Sequence, residues 1–259
     1  MEIERKIDMI LMPIPDYGFD PTEAAVPWNY LKEKGIDIVI ATPSGKMASA
    51  DERLLTGEGF GPFKKLLMAE PSALKDYRSM TKNEAFRHPI RYSEIDTTLF
   101  TGVLLPGGHD KGMREYLESE ILQKKVAEFF LAEKLIGAIC HGTVLAARTI
   151  DPRTEKSVIY DYQTTSLLKS QEMGAYYLTA LWLNDYYRTY SITVEEEVKS
   201  VLKEKNQFLT GKVTMSRDSI KNEKPAFVVE DRNYISARWP GDAHTFARKF
   251  YKKLSAERF

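Results

Sequence analysis

The chain has 259 residues, with 37 Lys+Arg against 37 Asp+Glu, so its formal net charge is zero. That balance excludes bulk electrostatic capture of nucleic acid or of an anionic membrane surface. The single cysteine excludes an internal disulfide and suits a reducing compartment. Met1–Lys6 has no apolar secretory core and no run is long enough to span a bilayer, so a soluble, cytoplasmic chain is expected.

In chain order, Asp8–Ile14 is an apolar run closed by proline, the pattern of a buried strand. Pro15–Pro21 is a loop, and Thr22 is placed to cap a helix from Glu23 to about Lys34, stopped by Gly35. Ile36–Ala41 is a second strand, which makes a parallel βαβ unit. Residues 46–96 break the pattern with scattered Gly and Pro. Their aromatics (Phe60, Phe63, Tyr77, Phe86, Tyr92) and the helical patches near 63–68 and 72–80 predict an ordered lid insertion. Leu99–Leu105 is the next strand, ended by Pro106-Gly107-Gly108-His109, and Met113–Glu133 is helical. After residue 150, the sequence predicts a strand-like run over 158–168 and a buried or interface helix and loop over 172–190. A charged helix over 195–205, a hairpin over 227–237 and a final helix from Gly241 to about Leu254 complete the chain. No repeat or linker interrupts it, so one domain over 1–259 is expected, built on a doubly wound, mainly parallel sheet.

The central stretch is Leu135-Ile136-Gly137-Ala138-Ile139-Cys140-His141-Gly142-Thr143. An apolar strand runs into Cys140, then into small residues and a helix-compatible segment, which is the grammar of a nucleophile elbow. Free N–H groups at the start of that helix would favour the thiolate. His141 could serve as the proton partner of the sulfur, or face solvent as a helix-start residue. Gly107 and Gly108, with the His141 N–H, could form an oxyanion hole, and His109 could touch substrate. Glu23 opens its helix at the same sheet end, where it could share a proton with the sulfur or simply favour the helix start. The four histidines show no metal spacing, and no dinucleotide or Walker-type loop is present, so neither a metal nor an organic cofactor is expected.

These residues resemble the ThiJ/PfpI superfamily, of the class I glutamine amidotransferase-like fold, in its Parkinson-disease-protein-like and glyoxalase III/chaperone branches. The resemblance lies in Leu105–His109, Ala138–Gly142, Pro21–Pro27, Ala41–Gly45 and 231–247, and it spans most of the chain. It implies a flavodoxin-like three-layer sandwich, usually a homodimer, with Cys140 as nucleophile, Glu23 as its carboxyl neighbour, Gly108 in the oxyanion hole and His141 as the paired histidine. In the large-lid branch a downstream acid completes the triad, and the resemblance places Glu172 there, with Asp185 as second candidate. His244 stands in Asp242-Ala243-His244, without the Pro-Glu that follows the histidine of true glutamine amidotransferases, so glutaminase activity is not expected.

The implied activity is cysteine-dependent chemistry on small reactive carbonyls, as in glyoxalase III, without a cofactor. The alternatives are a thiol hydrolase or peptidase, a holdase chaperone or redox sensor of the stress response, and a silent scaffold with an interface at 176–190.

Overall fold

A computed structural model describes residues 8–256 of the chain. The reading of Met1–Lys6 lies outside the described residues.

Fourteen elements frame the site. They are β1 (Met9–Pro13), α1 (Pro21–Glu33), β2 (Asp37–Thr42), α2 (Pro71–Met80), β3 (Ile90–Arg91), β4 (Gly102–Leu105), α3 (Glu120–Leu131), β5 (Leu135–Ile139), α4 (Gly142–Arg148), α5 (Lys169–Leu183), α6 (Val194–Ser200), β6 (Val228–Asp231), β7 (Tyr234–Ala237) and α7 (Ala243–Ala256). The sheet order is β6-β7-β5-β4-β1-β2-β3, and every pair is parallel except β6 with β7. This is the mainly parallel, flavodoxin-like α/β fold that the sequence predicts. The central strands are apolar without alternation because both faces are covered: every residue of β4 and β5 is buried. On one face α1 packs against α2 and α7, and Phe246 and Phe250 of α7 lie against Gly137 of β5. Helices α3 and α4 pack on β4 and β5, with α6 behind α4.

Several boundaries move for local reasons. The cap of α1 is Asp20, not Thr22: its Oδ1 accepts the N–H groups of Thr22 and Glu23 at 2.7 and 3.1 Å. The helix predicted over 113–133 is two, Met113–Leu117 and α3, because Ser119 caps a second start by accepting the Leu122 N–H. The strand predicted over 99–105 begins at Gly102, after a short turn of helix at Thr97–Leu99. The predicted charged helix shortens to α6, whose start Thr193 and Glu196 close reciprocally. Residues 158–168 form no strand of the sheet. Their one ladder contact joins Thr164 to Phe208, and buried hydroxyls take over: the Thr165 N–H donates to Ser236 Oγ at 3.0 Å. Hydroxyl-rich stretches satisfy their backbone this way in place of a ladder.

The segment predicted as a lid insertion, 46–96, is ordered. It contains helices at Glu52–Thr56, Lys64–Leu67, α2 and Glu84–Arg87, and it ends as edge strand β3. Leu54, Phe60 and Leu67 form a small apolar cluster with Tyr187, which docks the lid on the segment after α5. A further segment, 208–227, crosses the same end of the sheet. The buried guanidinium of Arg238 anchors it through the carbonyls of Lys212 (2.8 Å) and Pro225 (3.2 Å), while pairing with Asp242 at 2.9 Å. Asp218 in that segment accepts the His244 and Thr245 N–H groups and so caps α7.

Candidate active site

Ligands of open parallel sheets bind beyond the carboxyl ends of the strands. Here the ends of β1, β4, β5 and β7 converge under the lid, and a cavity of about 90 Å³ lies among them. Asp20, Glu23, Gly108, His109, Cys140 and Glu172 all line it, as do Gln171, Tyr187, Arg217 and Trp239.

Cys140 sits at the apex between β5 and α4 with φ +56°, a conformation few non-glycine residues adopt. Its own N–H donates to Ala237 O at 3.1 Å, so the elbow is pinned to β7 and that N–H is unavailable to a ligand. Gly107 is required by close approach. A Cβ there would stand 2.6 Å from the His141 nitrogen and 2.7 Å from Glu23 Oε2. Gly108 follows at φ +153°.

Two groups flank the sulfur. His141 Nδ1 lies 3.5 Å from Sγ. Its outer nitrogen, Nε2, lies 3.1 Å from Thr189 Oγ1, and the Thr189 hydroxyl is 2.6 Å from the His109 carbonyl. A carbonyl can only accept, so the Thr189 proton points at His109 and its oxygen accepts from His141 Nε2–H. The hydrogen-bond network thus assigns the neutral tautomer with a lone pair on Nδ1, facing the sulfur. Burial, helped by His109 and Arg148, pushes the His141 pKa down to about 3, so the ring is neutral near pH 7.

Glu23 is on the other side. Its Oε2 accepts the Gly107 N–H at 2.9 Å, its Oε1 is buried without a hydrogen-bond partner in the protein, and the carboxyl lies close enough to the Cys140 thiol for each to perturb the other. Burial and then Asp20 push Glu23 well above the usual carboxylate range. Asp20 itself rises to about 6, also by burial. Burial, then the charges of Glu23 and Asp20, raise the Cys140 thiol as well. The expected thiolate-favouring effect of the helix start is therefore outweighed. Glu23 and Cys140 form one coupled buried pair whose titration belongs to the pair, and a charged Glu23 disfavours the thiolate.

The proposed triad acids lie elsewhere. Glu172 lines the cavity, but both its oxygens are occupied: Oε1 by Arg188 at 3.3 Å and Oε2 by the Val194 N–H at 2.9 Å. Asp185 is on the surface, paired with Lys111 at 2.6 Å. The third position, against His141 Nε2, belongs to Thr189, which the sequence reading missed. His109 does reach the cavity wall. It is buried, stacked on Tyr187 at 4.3 Å and met edge-on by Tyr186 at 4.6 Å, and burial holds its pKa at about 3. Trp239, Gln171 and Arg217 were missed as well. No motif marks them, although Trp239 could have been suspected from its place just beyond β7.

Among the described residues no group of three His, Cys, Asp or Glu stands close enough to hold a metal ion, and no helix is long and apolar enough to cross a membrane.

Comparisons with known proteins agree with this fold. A family model described as "ThiJ/PfpI family-like" matches residues 14–211. An uncharacterised protein of Schizosaccharomyces pombe is 26% identical over 178 residues, 64% of this chain and 65% of that relative. The chain thus spans just under two thirds of that relative's length. Among solved structures, glyoxalase III of Candida albicans superposes with a TM-score of 0.68 at 17% identity, covering 95% of this chain and 97% of that one. The Rapid Encystment Protein 24 kDa of Francisella tularensis superposes with a TM-score of 0.67 at 17% identity, covering 95% and 99%. At these identities the structural matches establish the fold.

Proposed function

The chain belongs to the ThiJ/PfpI family, and on that premise we propose that it is a cofactor-free, cysteine-dependent enzyme that converts small 2-oxoaldehydes to 2-hydroxy acids. The observation that carries this reading is the flanking of Cys140 Sγ by a lone-pair nitrogen, His141 Nδ1, and by the carboxyl of Glu23, at the wall of a cavity of about 90 Å³.

The reaction follows from those two flanking groups. The sulfur adds to the aldehyde carbon C1, and the C1=O double bond becomes single. The thiol proton passes to His141 Nδ1 and on to the aldehyde oxygen, giving a hemithioacetal. His141 Nδ1 then removes the hydrogen of C1 and returns it to C2, while the Glu23 carboxyl moves the hydroxyl proton from the C1 oxygen to the C2 oxygen. The product is a thioester of a 2-hydroxy acid. Water cleaves it, releasing the acid and restoring the thiol, so the sum is dicarbonyl plus water to hydroxy acid. Backbone N–H groups of Gly108 and His141 are the assigned oxyanion donors. As the resemblance implies, we assign a cytoplasmic homodimer.

The test is release of hydroxy acid from methylglyoxal by the wild-type protein and by Cys140→Ser. The expected result is turnover that falls at least about a thousandfold in the variant. Turnover retained by Cys140→Ser, or none with either protein, overturns the reading. A holdase has its own support in the exposed apolar residues of α5, Tyr177 and Leu181 at 70% and 94% accessible. Suppression of client aggregation undiminished by Cys140→Ser, without dicarbonyl turnover, would establish that function instead.

A further inference from the structure

Helix α5 buries one face and leaves the other in solvent. Gln171, Glu172 and Thr179 are on the buried face. The outward positions of α3 and α7 carry charge, as the exposed Lys124 and Lys252 show. Those of α5 do not. Ser170, Gly174, Tyr177, Leu178 and Leu181 recur at helical spacing and share one outward stripe. Tyr177 is 70% accessible, Leu178 37% and Leu181 94%, with Trp182 at the edge of the stripe at 42%. The charged residues of the helix are Lys169, which pairs with Glu196 at 2.6 Å, and the buried Glu172.

Gly174 sits in the middle of this stripe. Glycine destabilises a helix interior, so its presence there calls for a close approach or a positive φ. Its backbone is ordinary helix, and a Cβ added to it would meet nothing within 4 Å. No described part of the chain therefore requires a glycine at this position. What the glycine does provide is a notch beside Tyr177 and Leu178, open to the outside.

The exposed area is that of an interface. At about 200 Å² for a fully exposed large side chain, the four apolar residues offer roughly 500 Å². That is near the upper end for the largest apolar patch of a monomer. Val213, 56% accessible, extends it, since it lines one groove with Tyr177, Met173 and Ser170. With the polar rim of that groove, which includes Lys169 and Arg188, the surface approaches the roughly 800 Å² per partner of a standard interface.

We propose that this stripe is where two copies of the chain pair, α5 antiparallel to α5 about a twofold axis, with Leu181 of each copy seated in the Gly174 notch of the other. Gly174 and Leu181 are equally distant along the helix from a point between Tyr177 and Leu178. A twofold axis through that point brings both insertions into register at once. The antiparallel arrangement also sets opposed helix dipoles side by side. A charge-free helix with one fitted notch suits a single partner of fixed shape, whereas surfaces that accept many clients are flexible and loop-rich or Met-rich. The inference rests on the homodimer assigned above and specifies its surface.

Sedimentation equilibrium of the wild type, Leu181→Asp and Gly174→Phe tests it, with circular dichroism to confirm folding. Both sites face open space, so the isolated fold accommodates either side chain. The wild type is expected to dimerise at micromolar concentration. Each variant should raise the dimer Kd at least a hundredfold, one by burying a charge and the other by filling the notch. A short bismaleimide should also link Tyr177→Cys to its counterpart, and this readout stands if either of the other variants fails to fold. A wild-type dimer that neither variant weakens, or that Tyr177→Cys does not cross-link, overturns the α5 surface and leaves the homodimer standing. A wild type that remains monomeric overturns the surface and the homodimer together, and leaves the Cys140 chemistry untouched.

Discussion

The floor and the roof of the cavity are built on different principles. The floor is backbone. Cys140 at its positive φ, Gly107 against the His141 nitrogen and Gly108 beyond it are packed in place by strands β4, β5 and β7. The roof is side chain. It is assembled from the lid, the residues after α5 and the 208–227 segment, joined by an apolar cluster and by Arg217 on two lid carbonyls. Close-packed parallel strands tolerate almost no displacement, whereas a roof of aromatic and amide groups can differ between relatives while the sheet stays the same. The contrast assigns reactivity to the floor and selectivity to the roof.

The largest effect should come from the floor. Gly107→Ala places a methyl group 2.6 Å from the His141 nitrogen, 2.7 Å from Glu23 Oε2 and 2.8 Å from Ile139 O. None of these can retreat without moving the elbow. The expected outcome is a loss of about 3 kcal/mol of stability, within the range for overpacked cores, with activity abolished. Chemical denaturation and turnover measure both. A variant of unchanged stability and activity would mean that the floor is softer than the packing implies.

A middle-sized effect should come from the roof, as a pH dependence. Burial raises the Glu172 pKa to about 7, against the accepted Val194 N–H and the nearby Arg188. Between its unfolded value of 4.5 and about 7 the folded state holds more of this proton than the unfolded state does. By linkage, stability from this group is present at low pH and is lost as pH rises through that window. Glu172→Gln removes the titration and leaves every other group in place. The difference in stability, variant minus wild type, should therefore become more positive by about 2 kcal/mol from pH 5 to pH 8. A difference that is flat with pH would show Glu172 to be ionised throughout. A hundredfold loss of turnover in the same variant would give the roof a share in the chemistry and break the contrast.

What could be read from the sequence follows the same division. The fold, the elbow, Gly107, Gly108 and the placement of Glu23 near Cys140 were legible, because a backbone turn or close approach restricts residue type at fixed spacing. Apolar runs in β1, β4 and β5 gave the parallel sheet for the same reason. Thr189, Gln171, Arg217 and Trp239 were not legible. Each acts through where a long loop delivers it, and many residue types would fit the same local chain. Glu172 shows the hazard directly: an acid stands near the expected position, yet the cap of α6 and Arg188 occupy it. The helix start favours the thiolate as a local feature, whereas burial first, and then the carboxyls of Glu23 and Asp20 delivered by a distant stretch of chain, raise the Cys140 thiol.

The smallest effect lies where roof meets floor. Thr189 belongs to the roof segment, but its oxygen receives the Nε2–H of His141, and its proton is fixed by the His109 carbonyl. Thr189→Val keeps the shape and deletes the acceptor. Nε2–H then has no partner, the other tautomer becomes competitive, and Nδ1 loses its lone pair toward the sulfur in part of the population. One neutral hydrogen bond corresponds to roughly 1.4 kcal/mol, or about tenfold in rate, so kcat should fall about tenfold while KM changes little. Thr189→Ser, which keeps the hydroxyl, should restore most of it. A purely structural role for Thr189 predicts a different pattern, in which both variants lose stability and neither shifts the pH dependence of kcat. If Thr189→Val leaves kcat unchanged, the tautomer of His141 is set by the floor alone, and the roof contributes selectivity without any share in orienting the base.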